Sequence, residues 1–255
     1  SALHQQDIVN DSFTSNASFN SNCLNFYYQN VRSIRGKLDS FYLNISDYFY
    51  DVIFITETWL DSSISDLEIM PEYYKVFRSD RKFDVLNLSR GGGVLIGINS
   101  SFHSERLDFS QASFSSLPSV DIVGVKIIHH NIVYYLILIY IPHTLNASNL
   151  SILLDGLCEL QYLHNANTLI VGDFNLPTYE CGASDSSCPS VKTLLDFLHF
   201  LSLSQYNNVR NNLNRMLDLV ICNTHLTISR VTDALVPEDA YHPALTWIIS
   251  FERVK

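Results

Sequence analysis

The feature that most constrains this chain is a series of short runs in which consecutive positions, rather than alternate ones, are apolar. They are LNFYYQN (24 to 30), DVIFITE (51 to 57), GVLIGI (93 to 98), DIVGVKII (121 to 128), NIVYYLILIYI (131 to 141), TLIVGD (168 to 173), LDLVIC (217 to 222) and ALTWII (244 to 249). Their length and their content of Val, Ile, Tyr and Phe predict strands. Strands apolar on both faces must be covered on both faces. Between them the spacing changes to a helical one: Leu38, Phe41, Ile45 and Phe49 within 37 to 50, the leucines Leu150, Leu153, Leu154, Leu157, Leu160 and Leu163 within 149 to 163, and a third segment at 191 to 201. Many strands with intervening helices imply an α/β or α+β layered body with helices outside the strands.

Composition agrees with a large core. Hydrophobic residues make up 47% of the 255 and charged residues 16%, the latter well below the roughly 25% of an average soluble chain. No linker divides the interior, so one domain is expected over 23 to 252, preceded by a polar, flexible leader over residues 1 to 22. The apolar stretch from Ile132 to Ile141 is far short of the ~20 residues of a membrane-spanning helix. Nothing near the N-terminus resembles a signal peptide, so neither a membrane nor secretion is expected. Five cysteines without a CxxC spacing fit free thiols in a reducing compartment better than a zinc site, although Cys181 and Cys188 share a loop. A net charge of −10 counts against a phosphate-rich partner. An acidic cluster around a divalent cation, however, is acidic in composition while facing a phosphate in use.

What terminates the strands carries the chemistry. Asn30 and Glu57 end the first two, Tyr140 leads into Pro142, Asp173 and Asn175 close LIVGDFNLP, Asp218 lies inside LDLVIC, and His242 precedes the last strand. Taken singly, a carboxylate at a strand end is as often a turn former or a helix cap. Asp218 differs, because an aspartate between Leu217 and Leu219 in an apolar strand is buried and needs a partner, for which a histidine would serve. Together the residue types suit metal-assisted phosphodiester hydrolysis. Glu57 and Asn30 supply hard oxygen ligands for Mg²⁺ or Mn²⁺. Asp173 orients and deprotonates a water, and Asn175 and Tyr140 donate to phosphate or leaving-group oxygens. His242, oriented and kept protonated by Asp218, stabilises the transition state from the far side. RGGGVLIG (90 to 97) lacks the lysine of a nucleotide cradle and fits a tight turn into a strand. His129, His130 and His199 are scattered and read as surface or packing residues.

QN (29 to 30), TETWL (56 to 60), YIP (140 to 142), GDFNLP (172 to 177) and LDLV (217 to 220), in this order, resemble the endonuclease/exonuclease/phosphatase superfamily. RSDR (78 to 81) followed by RGGGVLI (90 to 96) gives a closer resemblance, to the endonuclease domains of non-LTR retrotransposons. The resemblance spans about Leu24 to Trp247. It implies a deoxyribonuclease I-like four-layer sandwich, two mostly antiparallel β-sheets flanked by helices, with the site where strand ends converge. It also implies the roles given above to Asn30, Glu57, Tyr140, Asp173, Asn175, Asp218 and His242. Two departures stand out. The family's last motif places Asp directly before His, whereas VPEDAYHPAL separates Asp239 from His242, so Tyr241 competes for the histidine's place and Asp239 is a weaker candidate for a second metal-facing carboxylate. Arg32 stands where apurinic endonucleases commonly carry Asp, which favours phosphate contact over abasic repair.

The resemblance further implies DNA contacts from Arg32, Arg81 and Arg90, and from Asn208, Arg210, Asn212 and Arg215 in YNNVRNNLNR, the stretch matching a minor-groove hairpin. Paired asparagines also form tight turns, and both readings of that stretch stand. The leading expectation is a Mg²⁺-dependent endonuclease, monomeric as an isolated domain. It would nick double-stranded DNA in the nucleus to leave a 3′-hydroxyl primer for a reverse transcriptase domain of the same polyprotein. A chain ending shortly after its last strand is what an excised domain would show. The alternatives are a phosphoesterase for small phosphates and a catalytically inert DNA-binding module, the latter prompted by the irregular DAYHP.

Overall fold

The computed structural model describes residues 23–164, 166–180 and 186–250. The leader expected over 1 to 22, Cys181 and the last residues of the chain lie outside them. In chain order the elements are β1 (Cys23–Asn30), α1 (Leu38–Asp47), β2 (Val52–Thr56), α2 (Asp66–Ile69), β3 (Tyr74–Ser79), α3 (Phe83–Leu86), β4 (Val94–Asn99), β5 (His103–Arg106), β6 (Asp121–His129), β7 (Ile132–Tyr140), α4 (Ala147–Cys158), β8 (Asn167–Asp173), α5 (Pro189–Phe200), β9 (Ser204–Gln205), β10 (Asp218–Cys222), β11 (Ser229–Arg230) and β12 (Leu245–Ser250). No helix among the described residues is long and apolar enough to cross a membrane.

The strands form two six-stranded sheets, ordered β11-β12-β1-β2-β4-β3 and β5-β6-β7-β8-β10-β9. Each sheet is antiparallel except for one central parallel pair, β1 with β2 and β7 with β8. A parallel pair needs a crossover, and here each is a helical one, through α1 and through α4. The two β-α-β units point the carboxyl ends of their strands to the same end of the sandwich, where Asn30, Thr56, Tyr140 and Asp173 stand.

Period-two alternation sorts the side chains into layers. Phe26, Tyr28, Val52, Phe54, Val94 and Ile96 of one sheet pack between the sheets against Val123, Val125, Leu136, Leu138, Val171 and Val220 of the other. The intervening residues Tyr27, Ile53, Ile55 and Leu95 face α1 and α2. Ile137, Ile139, Ile170, Leu219 and Ile221 face α4 and α5. Both faces of both sheets are covered, giving the four-layer, deoxyribonuclease I-like sandwich. Trp247 stacks on Phe26 at 5.4 Å in the inner layer. Asn146 caps α4 by accepting the Asn149 amide, and α5 begins on Pro189, whose missing N–H is one a helix start does not use.

All eight strands read from consecutive apolar positions are present. Those not read, β3, β5, β9 and β11, lie at sheet edges or are two residues long, and β5 (His103–Arg106) contains no aliphatic or aromatic apolar residue. α1 ends at Asp47, so Phe49 falls outside the helix and is 59% exposed rather than packed. Leu160 and Leu163 lie beyond α4, Leu163 at the end of a single 3-10 turn.

Candidate active site

The pairing register places the polar residues before any side chain is considered. Asp121 of β6 stands opposite Tyr140 of β7, Tyr140 beside Asp173 of β8, and Asp173 opposite Asp218 of β10. These four form one row across four adjacent strands on the inward face. Asn30 beside Thr56 forms the corresponding row in the facing sheet. At this one end the apolar filling between the sheets gives way to a buried polar stratum: Asn30, Thr56, Asp121, Asp173, Asp218 and His242 are each under 8% exposed.

Adjacent buried aspartates repel, and their environment shows how the fold accommodates them. Asp218 accepts from the Tyr28 hydroxyl at 2.6 Å through Oδ1 and from His242 Nδ1 at 2.9 Å through Oδ2. Asp173 accepts from Asn30 Nδ2 across the sheets at 3.0 Å and from the Asn175 backbone N–H at 3.0 Å. His242 Nε2 lies 3.9 Å from Asp173 Oδ2. Burial alone would lower the His242 pKa; the Asp218 carboxylate, helped by Asp173 and Asp239, outweighs it and carries the value up to about 10. Burial, then the neighbouring Asp218, pushes the Asp173 carboxyl well above the ordinary carboxylate range, against the pull of His242. The Tyr28 and Tyr140 phenols are driven up by burial first and by Asp218 and Glu57 respectively.

The loops leaving these strands hold left-handed backbone at non-glycine residues: Arg32 and Ser33 after β1, Glu57 and Trp59 after β2, Asn175 after β8. Such conformations persist where surrounding contacts over-determine them. The Ser33 amide donates to the Glu57 carbonyl at 2.8 Å, and Trp59 Nε1 donates to Glu57 Oε2 at 3.0 Å. Glu57 is thereby aimed across the mouth toward Tyr140, whose phenol its charge helps to push up. Gly172, at φ +153, precedes Asp173 because a Cβ there would lie 1.8 Å from the Ile139 carbonyl oxygen of β7.

Asn30, Glu57, Tyr140, Asp173, Asn175, Asp218 and His242 are thus brought to one end of the sandwich. His242, rather than Tyr241, faces Asp218; Tyr241 is 43% exposed. The irregular DAYHP achieves this through Asp239, whose Oδ1 accepts the backbone amides of Tyr241 and His242, both at 2.8 Å. Its Oδ2 pairs with Arg32 at 3.1 Å. Asp239 therefore shapes the histidine turn, with both carboxylate oxygens engaged by protein donors. Asn175 gives one amide hydrogen to the Ile141 carbonyl at 2.7 Å and its backbone N–H to Asp173.

Of the residues expected to touch DNA, Arg81 is misplaced. Its side chain is 4% exposed and bonds Asp121 through Nε and Nη2, a buried ion pair away from the exposed surface that a DNA backbone would meet. Arg32, Arg90, Asn208, Asn212 and Arg215 are exposed, and Arg210 is held by Glu180 and the Asn214 carbonyl. Residues missed by sequence reasoning are Tyr28, whose hydroxyl holds Asp218, Thr56, whose hydroxyl bonds that of Tyr28, and Trp59. Counting back by two from Asn30 on an inward strand face would have found Tyr28.

The donor set suits a hard divalent cation. Asp173 and Asp218 with His242 bring ligand atoms within 4.8 Å of one another, and the Glu57 carboxylate is near enough to push the Asp173 carboxyl further up. With His242 Nδ1 engaged by Asp218, the Asp173 and Glu57 carboxylates offer oxygen donors of the kind that match Mg²⁺ or Mn²⁺.

A family model described as the endonuclease/exonuclease/phosphatase family matches residues 17–244. Among solved structures, the endonuclease domain of TRAS1, a telomere-specific non-LTR retrotransposon, superposes with a TM-score of 0.63 at 13% identity, covering 90% of this chain and 99% of that one. The AP endonuclease LMAP from Leishmania major gives 0.67 at 11% identity, covering 91% and 89%. A mannosyl-6-phosphatase from Bacteroides thetaiotaomicron gives 0.62 at 13% identity, covering 89% and 99%. No curated protein matches the sequence.

Proposed function

The chain belongs to the endonuclease/exonuclease/phosphatase family, whose hydrolases are generally metal-dependent phosphodiesterases, and from that premise we propose that it is a Mg²⁺-dependent endonuclease that nicks one strand of duplex DNA. The observation that carries the reading is the row Tyr140–Asp173–Asp218 with His242 on its far side and Asn30 and Glu57 facing it. Glu57 and Asn30 would hold the cation, which supplies charge neutralisation for the phosphate and a more acidic water.

The protein's own groups do the rest. Asp173, fixed by Asn30 and the Asn175 amide, orients the attacking water and takes its proton. His242 keeps its Nδ1 proton on Asp218, so Nε2–H is aimed toward Asp173 and donates to a non-bridging phosphate oxygen. Tyr140 donates from its hydroxyl to the oxygen that gains charge as the bond breaks. Tyr28, its hydroxyl bonded in turn to that of Thr56, keeps Asp218 from rotating away.

Duplex DNA as substrate is supported by exposed Arg32, Arg90, Asn208, Asn212 and Arg215 and by the likeness to the retrotransposon domain. The product would carry a 3′-hydroxyl, in the nucleus, for extension by a reverse transcriptase domain of the same polyprotein. Supercoiled plasmid incubated with the protein and Mg²⁺ should become open circles that a polymerase extends directly. Asp173→Ala and Glu57→Ala should each abolish nicking, and full activity in either would refute the site. The net charge of −10 favours a second reading, a phosphoesterase for small phosphates. Phosphate release from sugar phosphates without plasmid nicking would decide for it.

A further inference from the structure

RSDR (78 to 81) and RGGG (90 to 93) are brought together by β3 and β4, which pair with Ser79 opposite Val94. Where they meet, Arg81 Nε and Nη2 donate to Asp121 Oδ2 at 2.9 and 2.6 Å, and Nη2 also donates to the Ser119 carbonyl at 2.9 Å. The Gly93 amide donates to the same Asp121 oxygen at 2.9 Å. A Cβ on Gly92 would lie 2.1 Å from Arg81 Nε and 2.4 Å from Asp121 Oδ2, so glycine is needed for the pair to close. The Gly92 and Gly93 carbonyls accept the Trp59 and Thr58 amides, tying the cluster to the loop that carries Glu57. A buried ion pair is weak evidence of stability, so its place in the fold calls for another explanation.

That place is the face of Tyr140. Asp121 is the cross-strand partner of Tyr140, and the Arg81 guanidinium carbon stands 5.0 Å from the centre of its ring. We propose that Arg81, locked by Asp121 and admitted by Gly92, is a positioning residue that holds the Tyr140 ring so that its hydroxyl meets the reacting phosphate. This rests on the reading of Tyr140 as a phosphate-facing donor. A cation on a ring face fixes the ring's orientation and draws electron density from it, making the hydroxyl a better donor. In keeping with this, Arg81 opposes the burial and the Glu57 charge that push the Tyr140 phenol up.

Arg81→Met alone would strand the Asp121 charge and endanger folding. The test is therefore the pair Arg81→Met/Asp121→Asn, which keeps an acceptor for Gly93 and buries no lone charge, checked for an intact thermal transition. For plasmid nicking, kcat should fall about tenfold with KM changed less than about twofold, and in a Tyr140→Phe background the same pair should cost less than about twofold. Equal losses in both backgrounds would make the ion pair merely structural and overturn the proposal. Independently of activity, the ¹³Cζ resonance of Tyr140, assigned by its loss in Tyr140→Phe, should move in the Arg81→Met/Asp121→Asn protein. An unmoved resonance also overturns the proposal. Should the wild-type protein nick no DNA, the nuclease reading falls and the resonance alone decides.

Discussion

His242 keeps its proton chiefly because of one neighbour. Its pKa of about 10, against 6.5 for the free side chain, comes from the Asp218 carboxylate at 2.9 Å prevailing over desolvation. A folded-state value above the unfolded one means that the pair's stabilisation is complete below pH 6.5 and is lost as the pH rises through about 10. In the metal-free protein, imidazole ¹⁵N shifts should show His242 titrating far above neutrality, and Asp218→Asn should bring the midpoint down by more than a unit. An unchanged midpoint would remove Asp218 as the cause. This pairing was legible because an aspartate between two leucines in an apolar run had to be buried and partnered. Tyr28 was not, since a tyrosine in LNFYYQN reads as core until its hydroxyl is seen on Asp218. Arg81 was misread for the opposite reason. The resemblance offered it to DNA, and only the fold brings Asp121 to it.

The loop between β9 and β10 divides its asparagines between the two roles its sequence left open. Asn207 and Asn211 are buried: Asn207 Nδ2 donates to the Asp218 carbonyl at 2.7 Å, and Asn211 Nδ2 to the Tyr241 carbonyl at 3.1 Å. Their neighbours Asn208 and Asn212, with Arg215, face outward. The loop is therefore fastened to both the strand of Asp218 and the turn of His242, and it presents polar donors beside the site. Asn207→Ala should lower unfolding free energy by about 1–3 kcal/mol in urea titrations, since it orphans a buried carbonyl. Asn212→Ala/Arg215→Ala should leave that transition in place while weakening binding to duplex DNA and reducing the slope of log affinity against log salt by about one. An unchanged slope would exclude Arg215 from phosphate contact. Elements were readable where both faces are covered, as in β1, β2, β7 and β8, and unreadable at edges, where β5 carries no apolar signal.

At the scale of the whole molecule, the sandwich is apolar between its sheets except at the end where function collects, and there it is less stable than its architecture allows. Asp173 and Asp218 face each other across paired strands in a region nearly closed to water. Burial first, and Asp218 second, hold the Asp173 carboxyl well above its ordinary range. The sign follows: a carboxyl whose folded pKa is raised favours the fold most at acid pH, and its contribution declines as the pH climbs from 3.8, where the unfolded chain releases its proton. A neutral side chain of the same size should relieve the strain while removing the water activator. Asp173→Asn keeps an oxygen for the Asn175 amide, so at pH 7 without divalent ions it should melt a few degrees above wild type and yet nick no plasmid. A divalent cation bound by the folded state alone would offset the same repulsion. Added Mg²⁺ should then raise the wild-type melting temperature and move that of Asp173→Asn much less. A variant melting below wild type, or equal Mg²⁺ shifts in both proteins, would show that this end of the sandwich is not held under electrostatic tension by Asp173.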